Sequence, residues 1–128
     1  MQFRTELYST WIIEPDGDLT DGSPDANWID EHLIMGKVNF LNILIDCSKV
    51  RAIGRESLQV VQRVDEAVKK IEFCNFGDRI ALVAATEAVQ QVVKEYGLDL
   101  KHYPSLSAAM QDITSFHIER ERARSRAR

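Results

Sequence analysis

The stretch NFLNILIDCS, residues 39–48, sets Phe40, Leu41, Ile43, Leu44 and Ile45 in a nearly continuous apolar run, followed at once by Asp46, Cys47 and Ser48. A strand with one face in water alternates apolar and polar residues. An unbroken run of this length belongs to a central strand covered on both faces. RIALVAA, residues 79–85, repeats the pattern. Strands buried on both faces need helices around them, so these two runs point to an α/β chain with a mostly parallel sheet.

The intervening segments supply the helices. In TDGSPDANWIDEHLIM, Ser23 reads as an N-cap with Pro24 at the first helical position. Trp28, Ile29, His32 and Leu33 follow at three- and four-residue spacing, and Gly36 is expected to end that helix. A longer helix follows the central strand, with Leu58, Val61, Val64, Ala67/Val68 and Ile71 on its apolar face and Gly77 in the turn after it. Thr86 and Gly97 bracket TEAVQQVVKEYG as cap residues, LDLKHYP is a short strand, and Ser105 or Ser107 starts a last helix. At the front, ELYSTWII reads as a strand closed by EPDGD, with a brief continuation through Leu19. FRTEL is either its first half or a separate edge strand. The expected architecture is a single domain with a four- to five-stranded sheet and about four flanking helices. It spans residues 1–118, and 119–128 form an Arg-rich helical extension or frayed tail.

That tail, ERERARSRAR, carries five Arg against two Glu. Taking these from the chain's 16 Lys and Arg and 20 Asp and Glu leaves 11 basic against 18 acidic residues in the body. An acidic body is not a nucleic-acid surface. No segment approaches the roughly 20 apolar residues of a membrane span, and MQFRTELYSTWII lacks the pattern of a secretory signal, so a cytoplasmic location is expected. Cys47 and Cys74 are expected to be reduced, partly buried thiols.

Signatures of catalysis are missing. The chain has no GxxxxGK[ST], GxGxxG, GxSxG or HExxH, and no dense Asp/Glu/His cluster for a metal, so no cofactor is expected. Asp46 lies at the end of the central strand, where α/β folds place their chemistry, but it is equally suited to capping the next loop. His32 faces the apolar side of its helix, and His102 and Tyr103 lie in a short strand. No nucleophile, base and orienting group come together.

Three stretches resemble the STAS domain, the family named for sulfate transporters and anti-sigma factor antagonists. NILIDCSKVRAIGRES is similar to the family's central strand running into its functional loop. DRIALVAATEAVQQVVKEYGLD is similar to its next strand and helix, with a Gly-Leu pair before the following strand. YPSLSAAMQDI is similar to its last helix. The resemblance covers residues 10–114 in element order and is nearest to a divergent bacterial branch, SpoIIAA-like or STAS/SEC14-like.

The resemblance implies a non-catalytic regulatory role. In anti-sigma factor antagonists an Asp-Ser-Ser/Thr-Gly loop at the start of the helix after the central strand is phosphorylated by a partner kinase and forms the docking surface. Set on this chain without gaps, that motif falls on Gly54, Arg55, Glu56 and Ser57, and none of the four matches. Glu56 then stands at the phosphorylated position with one permanent negative charge, or is an ordinary first-turn acid favoured by the helix dipole. The expected docking loop and helix comprise Ile53, Gly54, Arg55, Glu56, Ser57 and Gln59, with Ser57 as a candidate phosphosite one residue along. The expected partner is a protein, an anti-sigma factor or kinase-like regulator, with no metal, nucleic acid or membrane involved. The alternative is a lipid- or nucleotide-like ligand in a pocket lined by Ile53, Leu58 and the first helix. A homodimer is a further expectation, with Trp11, Trp28 and Phe116 as exposed apolar anchors.

Overall fold

A computed structural model describes residues 1–39, 42–69 and 80–127. In chain order the elements are β1 (Gln2–Glu6), β2 (Thr10–Glu14), α1 (Pro24–Asn39), β3 (Asn42–Asp46), α2 (Arg55–Lys69), β4 (Ile80–Val83), α3 (Glu87–Tyr96), β5 (Lys101–Tyr103) and α4 (Leu106–Ala127). The five strands form one sheet in the order β1-β2-β3-β4-β5. β1 and β2 pair antiparallel, and the other three pairings are parallel. Among the described residues the sheet is therefore mixed, with an antiparallel pairing at one edge.

This strand order has a consequence for the layers. From β2 to β5 each strand is laid beside the previous one in the same direction, with one helix between. Crossovers of one hand then carry α1, α2 and α3 to the same face. The larger core joins Trp11, Ile13, Ile43, Ile45, Ile80 and Leu82 of the strands to Ile29 and Leu33, Leu58, Val61 and Val64, and Val89 and Val93 of those helices. The opposite face, with Ile12, Leu44, Ala81 and Val83, would be bare without α4, which covers it with Ala109, Leu106, Met110 and Ile113. Alternation along each strand thus feeds two cores, which is why the central strands read as unbroken apolar runs. Each fully buried Ile or Leu contributes about 1.5–3 kcal/mol relative to exposure.

The helix ends follow their caps. The Ser23 hydroxyl accepts from the Ala26 N–H (3.2 Å), that of Thr86 from Val89 (3.2 Å), and that of Ser105 from Ala108 (3.1 Å). Gly97 closes α3 at φ 88°, a left-handed conformation that glycine adopts without cost. At the far edge, Asp112 of α4 pairs with Lys101 (3.0 Å) and accepts a hydrogen bond from the Tyr103 hydroxyl, tying β5 to the helix. Burial, with that hydrogen bond second, pushes the Tyr103 hydroxyl up to about 12.

Four expectations need correction. ELYSTWII is not one strand: Leu7, Tyr8 and Ser9 form a turn, with Tyr8 at φ 61° and Ser9 at φ 55°, and FRTE is a separate edge strand. Gly36 does not end α1, which runs on to Asn39. His32 is exposed instead of facing the core; its ring stacks on Trp28 at 4.5 Å and its Nδ1 lies 2.8 Å from the Trp28 carbonyl. Trp11 is no exposed anchor, being buried in the larger core, while Trp28 and Phe116 are half-buried. The continuation through Leu19 is an isolated parallel bridge to Ile53. The expected packing of Phe40, Leu41, Val68 and Ile71, the turn at Gly77 and the state of Cys74 lie outside the described residues.

Candidate functional site

The carboxyl ends of β2 and β3 release two loops, residues 15–23 and 47–54, and backbone hydrogen bonds join them. The Leu19 N–H donates to the Ala52 carbonyl (3.0 Å), and the Gly54 N–H to the Leu19 carbonyl (2.8 Å). These bonds make the Leu19–Ile53 bridge, a one-residue extension of the parallel pairing beyond the sheet. Leu19 at 1% and Ile53 at 8% exposure are its apolar underside.

Two carboxylates of the first loop serve backbone donors of the second. Asp18 Oδ1 accepts from the N–H groups of Arg51 (2.7 Å) and Ala52 (3.2 Å). Asp21 Oδ1 accepts from the Glu56 N–H (3.0 Å), one of the first-turn donors of α2 that have no partner within the helix. The residue before α2 is Gly54, whose carbonyl takes the Leu58 N–H (3.2 Å) but which has no side chain to cap with. Asp21 therefore caps α2 from 33 residues upstream of Gly54, and its negative charge suits the positive end of the helix dipole. The cap depends on Gly54: an added Cβ would collide with Asp21 Oδ1 and lie 2.8 Å from the Asp21 nitrogen.

The residues of the expected docking surface divide in two. Arg55, Glu56 and Gln59 are exposed and Gly54 is half-buried. Ile53 and Ser57 point inward, Ser57 at 1% exposure with its hydroxyl donating to the Leu19 carbonyl (3.3 Å). In this conformation the Ser57 hydroxyl is closed off from an enzyme. Ile53 and Leu58, at 8% and 2% exposure, are packed into the core and offer no wall to a ligand.

The other singled-out groups have structural surroundings. Asp46 Oδ1 accepts from the Ser48 N–H (3.0 Å), closing the turn after β3. Burial, with the Asp46 charge second, pushes the Cys47 thiol up to about 12, so it stays protonated. His102 is half-buried, and desolvation lowers its pKa. Among the described residues, no three His, Cys, Asp or Glu side chains are grouped to hold a metal, and no helix is long and apolar enough to cross a membrane.

Asp18 and Asp21 were not expected at this site. In DLTDGSPD they look like ordinary turn formers, and both reach residues more than 30 positions away. The one sequence signal is indirect: α2 begins after a glycine, so its free N–H groups require an acceptor from elsewhere.

No protein-family model matches the chain. No curated protein matches it either. Solved structures do. A crystal structure of a provisionally assigned anti-sigma factor antagonist from Thermotoga maritima superposes with a TM-score of 0.71 at 21% identity, covering 88% of this chain and 93% of that one. The Bacillus cell-fate determinant SpoIIAA in its phosphorylated form gives a TM-score of 0.66 at 13% identity, covering 88% and 97%. A sulfate transporter family protein from Wolinella succinogenes gives 0.66 at 11%, covering 88% and 90%. The likeness runs through nearly the whole of each partner at identities where only the fold is shared, and both namesakes of the STAS domain are among them. The chain carries a divergent STAS-domain fold.

Proposed function

We propose that this chain is a non-catalytic regulatory domain that binds a protein partner, an anti-sigma factor or kinase-like regulator, in the cytoplasm. Docking uses the exposed Arg55, Glu56 and Gln59 on the loop and first turns of α2, and no phosphoryl switch operates there. The observation that carries this reading is the Asp21 cap. One neighbour in fold, SpoIIAA, has been solved in both phosphorylated and unphosphorylated forms. At the position the STAS resemblance assigns to the phosphorylated residue, this chain has Glu56, whose N–H is already held by a carboxylate. A phosphoryl group would bring about −1.5 to −2 charge to such a helix end. Here the Asp21 and Glu56 carboxylates supply permanent negative charge instead, so the surface has one fixed electrostatic state.

The test is affinity capture from the native cell with identification by mass spectrometry, repeated with Arg55→Ala and Glu56→Ala. A partner retained by the wild type and lost by both variants supports docking at this surface. No recovered partner, or one that both variants retain in full, overturns it. Intact mass of the native protein bears on the switch, and phosphate on the 53–59 segment would refute the fixed state.

A further inference from the structure

We infer that β1 is a self-complementary edge that pairs antiparallel with β1 of a second copy, on a twofold axis at Thr5. This rests on the opposite side of the sheet's connectivity from the docking loop and does not depend on the function proposed above.

β1 lies at the end of the strand order, and all five of its residues are exposed. Its inner side pairs with β2, so every second residue turns an N–H and a C=O outward, where no strand among the described residues receives them. Folded proteins usually blunt such an edge with charge, and Arg4 and Glu6 provide it here. Their placement, however, excludes most partners and admits one.

The segment Phe3-Arg4-Thr5-Glu6-Leu7 reads apolar, basic, hydroxyl, acidic, apolar. Laid antiparallel on itself about Thr5, it sets Arg4 against Glu6 of the second copy and Thr5 against Thr5 within the strands, and brings Phe3 beside Leu7, the first residue of the turn after β1. Apolar pairs, opposite charges and Thr–Thr pairs are all favourable cross-strand combinations. Moving the register by two residues puts Arg4 against Arg4 or Glu6 against Glu6. Moving it by one sets Phe3 against Glu6 and joins opposite faces of the two sheets. Only the Thr5-centred register satisfies charge and apolar matching together.

The exposed side chains suit this occupant. Phe3 and Leu7 are the two most exposed large hydrophobic residues among those described, at 59% and 67%. Phe3 is held in place by stacking on Trp28 (5.5 Å) and an edge contact with Trp11 (6.3 Å), so it presents a fixed apolar surface at the sheet's rim. Arg4 already bonds Glu6 (3.2 Å) and Glu14 of its own chain. A guanidinium has five N–H donors, which leaves some for the partner's carboxylate. The product is a continuous ten-stranded sheet, twice the five strands of one copy. Strand pairing of this length is a small interface, so the dimer is concentration-dependent.

The experiment is sedimentation velocity and native mass spectrometry of the full chain and of Arg4→Glu, Glu6→Arg and their equimolar mixture. The wild type is expected to dimerise with rising concentration. Each single variant sets like charges against each other twice across the axis, raising the dissociation constant about tenfold or more. Mixed together, the two variants restore both ion pairs, and the heterodimer, distinguishable by mass, is expected to exceed either homodimer. A wild type that stays monomeric at its highest soluble concentration overturns the inference. So does a dimer that both variants leave intact, or a mixture that forms no heterodimer. Circular dichroism checks that the variants fold. If either fails to, Leu7→Asp in the turn leaves the Arg4 pairs in place and is expected to weaken the dimer alone; an unchanged dimer there is equally fatal.

Discussion

Replacing Gly54 with alanine tests whether the two loops are joined as described. The new methyl group would collide with the Asp21 carboxylate and sit 2.8 Å from its backbone nitrogen, so the Asp21 segment must retreat. Retreat breaks the bond to the Glu56 N–H, a loss of about 1 kcal/mol for a helix cap. Displacing the Asp21 backbone adds about 1–3 kcal/mol, as overpacking does elsewhere. Against this, alanine restricts the unfolded chain and returns about 0.4–1 kcal/mol. The net expectation is a loss of about 1–3 kcal/mol, or a melting temperature lower by about 5–10 °C for a domain of this size. The assay is urea denaturation followed by circular dichroism on Gly54→Ala, Asp21→Ala and the double variant. In the double variant the cap is already gone, so Gly54→Ala costs about 1 kcal/mol less than it does alone. A Gly54→Ala protein within about 0.5 kcal/mol of wild type, or strictly additive costs, would refute the reasoning.

Three further outcomes can be checked with similar means. Asp18→Ala leaves the Arg51 and Ala52 N–H groups without their acceptor and is expected to cost about 1–2 kcal/mol in the same urea titration. Ser57→Asp puts a charge where a hydroxyl at 1% exposure faces the Leu19 carbonyl, and is expected to lower stability by about 3–5 kcal/mol, whereas Ser57→Ala costs only about 1 kcal/mol. The Cys47 thiol, pushed up to about 12 from its ordinary 9.0, should resist alkylation at pH 8 until the chain unfolds, as peptide mapping would show. Because the unfolded chain releases that proton near pH 9 and the folded one does not, its contribution to stability is intact below pH 9 and is lost between pH 9 and about 12; Cys47→Ala should flatten that part of the alkaline slope.

The elements that could be read from the sequence were those governed by local rules. β3 and β4 showed as unbroken apolar runs because both faces of the sheet are covered, and α3 carried its own signals in Thr86 and Gly97. The hairpin was hidden because Leu-Tyr-Ser contains none of the usual residues for positive φ, yet Tyr8 and Ser9 both adopt it. Pairing of β1 with β2 outweighs the local preference there. Helix α1 ran through Gly36 since a single interior glycine costs only about 1 kcal/mol. The position of the 47–54 loop was legible, but the inner half of the proposed docking surface was not. Whether Ser57 faces solvent depends on the Leu19 carbonyl, and whether α2 is capped depends on Asp21, both brought in by the fold from the other loop.

The Leu19–Ile53 bridge also bears on how binding would proceed in time. A free loop loses about 1–2 kcal/mol of backbone freedom for each residue that a partner orders. Residues 51–54 are already ordered by four hydrogen bonds to residues 18 and 19, so that loss was met during folding. In the proposed complex, Arg55, Glu56 and Gln59 would be presented from a loop and helix start that these bonds already hold. Complex formation should then follow a single exponential at every partner concentration, with no slow rearrangement after encounter. Substitutions at the three exposed residues should act chiefly on the lifetime of the complex, while breaking the bridge should slow its formation.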